Sequence, residues 1–417
     1  MAAARGVPSG GPASRSICVN DPRPGSPRDL LNRQYVVVIA AMSIGVAGWL
    51  PVNNFLSLFV RDELGGDLLG AALLLIAIQG GTATLGLAGG LWIHRVGSRW
   101  TYALGLAGMT AFVLVMTVAA GAAVVLVAAP FLGVALALHW AGSQTYVLEV
   151  SPAARRGLAT GIMSFAIIAA PGIAGIAFGQ IAESAGLRAM TGVAGGMIGG
   201  ALLLVALFLP STTRRQRGPS RSAGDVFHAL RTVPALAMVA ARSGTTVAFG
   251  VIVLLTGPKL VAAGGDLRSV GLFTLVSALG GAVAQIGIGR LSDAIGRTAI
   301  FALSLVVGAG AAIGFALADD VVALLTLSGV IYLAFGTHQT VLPAIAGDIS
   351  RPGQLGTMMT LQTSAFALGM MFGAGATAAL AATAPDAAFY VGAAGMGVAL
   401  AVTPWLRPRP TGASPPS

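Results

Sequence analysis

Two histidines, one arginine and a few amides are the side chains in this sequence whose placement invites chemistry. His139 and His338 each stand inside a long apolar run. An imidazole there can hydrogen-bond a ligand or take a proton near neutral pH; it can equally serve packing alone. Arg242 lies nine residues past Val233, where another apolar run begins, or roughly 13 Å along a helix at 1.5 Å per residue. It could attract an anionic group, snorkel to the nearer surface, or pair with Glu149 or Asp348. Trp49, Asn53 and Asn54 flank Pro51, and a proline there would loosen a helix and free a carbonyl. Gln144 and Gln339 are further amides that suit either a ligand or a helix–helix hydrogen bond. Tyr146 and Tyr332 suit cavity walls or interface anchors. There is no G-x-x-x-x-G-K-[ST] phosphate loop, no nucleophile elbow and no cluster with metal-ligand spacing. The single Cys18 excludes an internal disulfide. No enzymatic activity, cofactor or metal is expected.

These residues need apolar elements to hold them. Hydrophobic residues make up 56% of the 417 and charged residues 9%. A soluble surface usually needs about 25% charge, so the chain is expected to reside in a lipid bilayer. A helix crosses one with about 20 mostly apolar residues. Twelve candidates follow, near 35–60, 68–93, 100–119, 122–148, 157–182, 187–209, 233–258, 268–291, 298–317, 321–345, 355–382 and 386–406. The chain therefore divides into a Pro-, Gly- and Arg-rich tail (1–34), a six-helix unit (35–209), a basic linker (210–232), a second six-helix unit (233–406) and a short tail (407–417). The first tail is expected to be disordered, and the end of the linker to form a short amphipathic surface helix. The net charge of +10 reads as topology and not as nucleic-acid binding. With both tails cytoplasmic, nineteen of the 24 basic residues fall on the cytoplasmic side, as the positive-inside rule requires. The expected location is a bacterial inner membrane.

The two units are related. At a constant offset of 199 residues, Gly65-Gly66-Asp67-Leu68 falls on Gly264-Gly265-Asp266-Leu267. Gly90 falls on Gly289, Gly97 on Gly296, His139 on His338 and Glu149 on Asp348. Two similar bundles around a central site can rock between inward and outward openings.

Gly289-Arg290-Leu291-Ser292-Asp293-Ala294-Ile295-Gly296-Arg297, between the eighth and ninth spans, resembles the loop signature G-x-L-[AS]-D-x-x-G-R of the major facilitator superfamily. A degraded copy, Gly90 to Arg99, lies between the second and third spans, with His94 where the family usually has Asp. The resemblance implies an all-α membrane protein of two pseudo-symmetric six-helix bundles. It also implies a cytoplasmic gate in which Asp293 faces Arg155 and Arg156 at the start of the fifth helix, and His94 faces Asp348. Arg95, Arg99, Glu149 and Arg297 belong to the same cluster. The first, fourth, seventh and tenth helices would line the cavity, placing His139, His338 and Arg242 near it. Two departures stand out. The stretch Ala128–Gly133 lacks the Arg common in proton-coupled members. Ala170–Gly175 keeps only the Pro and the small residues of the drug-antiporter segment. The resulting expectation is a secondary transporter working by alternating access, exporting a small apolar or weakly charged molecule against protons carried by His139, His338 or Glu149. Import or facilitated passage of a small anion through Arg242 is the alternative. A transport-dead sensor or assembly partner is a third. The expected partners are the bilayer, a small-molecule substrate and protons, with no nucleic acid, and the protein is expected to be a monomer.

Overall fold

A computed structural model describes residues 32–152, 155–211, 232–350 and 355–406; for residues 85–95, 157, 286, 289, 290, 293, 355–357 and 360 it describes the backbone alone. The expected linker helix and most of both tails lie outside the described residues. No strand occurs among the described residues.

The first span begins two residues earlier than expected. Arg33 and Gln34, assigned above to the tail, already belong to helix Arg33–Asn54, whose N-terminus is capped by the Asn32 side chain accepting from the Tyr35 N–H at 2.8 Å. The span is broken and not merely loosened. It stops at Asn54, turns through Phe55 and resumes as Leu56–Asp62. Pro51 sits one turn before the break and removes a hydrogen bond from that turn. Spans 2 to 6 are Leu68–Val96, Ser98–Val118, Ala122–Val150, Arg156–Ala185 and Leu187–Phe208. Spans 7 to 12 are Val233–Ala262, Leu267–Ile295, Arg297–Leu317, Val321–Ile349, Leu355–Leu380 and Ala387–Val402, the last extended by a 3-10 turn over Thr403–Leu406. Among the described residues, eleven spans are long and apolar enough to cross a membrane, and the second is apolar over Leu68–Thr84. The chain is a multi-pass membrane protein.

Packing repeats with the sequence. Span 4 packs on spans 2 and 3, span 1 on spans 5 and 6, and span 3 on span 6. Adding six to each number gives the partners in the second half: span 10 on 8 and 9, span 7 on 11 and 12, and span 9 on 12. Between the halves, span 5 packs on span 8 and span 2 on span 11. Spans 1 and 7 are the most enclosed.

The offset of 199 survives in local geometry. Gly97 and Gly296 alone separate spans 2 from 3 and 8 from 9, at φ 85° and 109°, a region that a Cβ makes costly. Asp67 accepts from the Gly70 N–H at 2.7 Å, and Asp266 from the Ser269 N–H at 3.0 Å, so both caps recur. The crossings of spans 2 on 4 and 8 on 10 are set by glycine. A Cβ at Gly81 would lie 2.1 Å from the Pro130 carbonyl oxygen, and one at Gly280 would lie 2.2 Å from that of Gly329. Backbones this close gain dispersion contact that bulkier residues would forbid.

Gly81→Leu or Gly280→Leu should therefore abolish the monodisperse folded peak in size-exclusion chromatography in detergent. Gly196→Ala, where a Cβ meets nothing within 4 Å, should leave that peak intact.

Candidate functional site

The halves meet at the end opposite the tails. There the Asn54 amide donates to the Thr274 hydroxyl at 2.9 Å, joining spans 1 and 8. The Leu267 N–H at the start of span 8 donates to the Glu183 carboxylate of span 5 at 3.1 Å, a placement the helix dipole favours. A Cβ on Gly271 would stand 2.3 Å from the Gly175 carbonyl oxygen, so spans 5 and 8 touch backbone to backbone. Toward the tail end the two spans part. A cavity of about 410 Å³ opens between them, with Thr160, Ser164 and Phe165 on one wall and Gln285, Gln339 and Thr340 on the other. A second hollow of about 490 Å³ lies beside Gly296, Arg297 and Asp348 and involves the second half alone.

Arg242 stands behind the cavity wall. It is 7% exposed and lies well inside span 7. One guanidinium nitrogen, Nη2, donates to the Gln339 side-chain oxygen, and the guanidinium carbon lies 5.0 Å from the centre of the Phe366 ring. Nε and Nη1 are buried with no hydrogen-bond partner among the described residues. A charge-assisted hydrogen bond contributes about 1.5–3 kcal/mol and a desolvated cation–π contact about 2 kcal/mol. Burying an ion costs several kcal/mol even after relaxation. The two contacts offset a cost of the same order, while two of the three guanidinium nitrogens keep no partner among the described residues. No carboxylate of the described residues pairs with Arg242. The sequence options of snorkelling or pairing with Glu149 or Asp348 are not taken.

The two histidines occupy equivalent places, but these are packing sites within each half. His139 is fully buried, edge-on to Tyr102 at 5.2 Å and to Trp140 at 5.2 Å. His338 is fully buried against Phe301 at 5.3 Å, and Tyr102 and Phe301 are themselves 199 residues apart. None of the four ring nitrogens has a hydrogen-bond partner among the described residues. The structure therefore departs from the expectation that these rings line the cavity. Trp49 likewise packs within the first half, edge-on to Phe112 at 6.2 Å. Asn53 and Asn54 are each 8% exposed; the Asn53 carbonyl caps the broken first span, and Asn54 closes the interface between the halves. Gln144 is exposed on span 4, and Gln339 is half-buried on the cavity wall.

The expected gate residues sit at the tail end. Gly90 and Gly289 lie within the helices of spans 2 and 8. The side chains of His94, Arg95 and Asp293 lie outside the described residues. Arg155 caps span 5 and Arg156 is its first residue. Arg99 donates to the Ala206 carbonyl at 2.7 Å, within its own half, and lies 4.9 Å from the Trp100 ring centre. Asp348, expected to reach toward His94, is held in the second half by Arg297 at 2.7 and 2.8 Å. Glu149 accepts from Ser98 at 2.5 Å. Ser98 and Arg297 are again 199 apart.

Sequence reasoning singled out Tyr332 and missed the three phenylalanines that join it beside Arg242. Phe249, Tyr332, Phe335 and Phe366 are all half-buried and form one cluster across spans 7, 10 and 11. Their signal lay in the offset, because their counterparts in the first half are Leu50, Gly133, Leu136 and Ile167.

No curated protein matches the chain. A family model described as Major Facilitator Superfamily matches residues 36–263 and 235–417, one match beginning in each of the two repeats. Duplicated six-span halves, a cavity between them and a match over nearly the whole chain together place this membrane transporter in the major facilitator superfamily.

Proposed function

We propose that the chain carries a small organic anion across the bilayer by alternating access, with Arg242 as the charge that binds it. The observation that carries this reading is the buried guanidinium with two unpartnered nitrogens beside the cavity between the halves. Gln339 covers it, so an anion reaches Arg242 by displacing that amide. An intramembrane ionisable residue marks a substrate path more often than a structural device.

Direction follows from charge. No Asp or Glu lies near the middle of a span, and both imidazoles are enclosed by their own half. Support for proton antiport through His139 and His338 is thus confined to their symmetric placement. The potential of a membrane that is negative inside biases an uncoupled anion carrier outward, by about 2.3 kcal/mol per charge per 100 mV. We therefore favour export down the membrane potential, with tails and linker cytoplasmic. The separation at the tail end then corresponds to an inward-open state. Closing it would require Asp293 and His94 to engage the start of the opposite half, as the family resemblance implies.

The test uses proteoliposomes with an imposed potassium diffusion potential and radiolabelled sulfonates, which do not cross lipid as neutral acids. The wild type should move sulfonate toward the positive side. Arg242→Gln should lose the flux by at least roughly tenfold, the equivalent of one lost charge-assisted bond. Arg242→Lys should keep part of it, as a point charge without the planar fork. Full flux in Arg242→Gln would refute the assignment. In the same assay, His139→Phe with His338→Phe should leave flux and its pH response unchanged; loss of a pH response would restore the histidines as proton carriers. Asp293→Asn should slow flux while leaving membrane insertion intact, and full flux would remove Asp293 from the gate.

A further inference from the structure

The four rings and Arg242 form one face on spans 7, 10 and 11. Phe249 and Phe335 stack with centroids 4.5 Å apart and planes within 4°. Phe366 lies 6.2 and 6.3 Å from them, and Tyr332 lies 5.7 Å from Phe249. Phe249 is on the most enclosed span, yet it is half-buried and not fully buried.

The first half supplies an internal control. It has the same helix crossings, caps, glycine turns and histidine–aromatic pairs at the same offset, so the scaffold does not need these rings. At the equivalent positions it carries Leu50, Gly133, Leu136 and Ile167, with Ser43 in place of Arg242. Trp140, the counterpart of Gln339, is the one ring at those positions. The second half alone joins a desolvated cation to several π faces. Aliphatic side chains, as in the first half, would serve an aliphatic substrate equally well. Rings 4.5–7 Å apart in offset or edge-on geometry favour a further aromatic ring over an aliphatic body of the same size.

We infer that the substrate is an aryl anion, a planar aromatic ring bearing a carboxylate or a similar group, with its charge on Arg242 and its ring against Phe249 and Phe335. This rests on the reading of Arg242 as the anion site and adds the aromatic class to it. The second half then binds the substrate and the first half closes over it.

The test is equilibrium binding to the full chain in lipid nanodiscs near neutral pH, with benzoate, cyclohexanecarboxylate and acetate as probes. The three share a carboxylate; the first two share a six-membered ring and differ in planarity and π character. Wild type should bind benzoate roughly tenfold tighter than cyclohexanecarboxylate, the upper range for aromatic pairing, and acetate more weakly still. Phe249→Leu with Phe335→Leu installs the residues found at the equivalent positions of the first half, where the fold accepts them. It should bring benzoate down to cyclohexanecarboxylate while leaving binding of the latter intact. Equal affinity for the two rings in wild type, or a benzoate preference that survives the double substitution, would overturn the aromatic class while Arg242→Gln still abolishes binding. Carboxylate binding that persists in Arg242→Gln, or no binding of any probe, would instead overturn the anion site beneath it.

Discussion

A guanidinium buried in a membrane span is the costliest placement that the proposed function has to explain. Arg242 lies too far inside span 7 for its charge to be spent at the surface, and its partners are one amide oxygen and one ring face. Neither carries a negative charge. A protein that keeps such a cation in lipid accepts a standing electrostatic deficit. An anion that enters, neutralises it and leaves on the other side turns that deficit into binding energy. On the proposed reading, Gln339 makes the empty state tolerable. It supplies a dipole while no anion is present and stands on the cavity wall, where an arriving anion meets it.

On the proposed reading, the surrounding scaffold lets the two halves move around this charge. Within each half, contacts are close and repeated, including backbone crossings at Gly81 and Gly280 and aromatic packing of His139 and His338. Among the described residues, the Asn54–Thr274 and Glu183–Leu267 hydrogen bonds and the Gly175–Gly271 approach join the halves at the end opposite the tails. At the tail end, Arg297 with Asp348 and Ser98 with Glu149 are bound within their halves. Such an arrangement separates rigid bodies from the seam along which they open.

The spans, their number and the duplication were legible because length, apolarity and a constant offset are properties of the chain itself. The turns at Gly97 and Gly296 were legible for the same reason. Side-chain direction was not. In a soluble helix, one face is polar and reveals the other. In span 4 the lipid side and the packed side are both apolar, so nothing in the sequence says that His139 turns toward Tyr102 and away from the cavity. Asn54 finds its partner 220 residues away, a distance over which no periodicity speaks. Arg242 was legible as an anomaly of charge, and the phenylalanines around it were not, because Phe in an apolar run looks like any other core residue. Only its contrast with Leu50 and Leu136 across the repeat separates it from packing.

We propose that occupancy of Arg242 drives closure of the tail end. It is tested most directly by spin-label distances between the halves, with Cys18 replaced by Ser and cysteines placed at Ser164 and Ala282 on opposite walls of the cavity. A saturating small carboxylate should shorten this distance in wild type and leave it unchanged in Arg242→Gln. A distance that ignores the anion in wild type, or that shortens equally without the guanidinium, would contradict it.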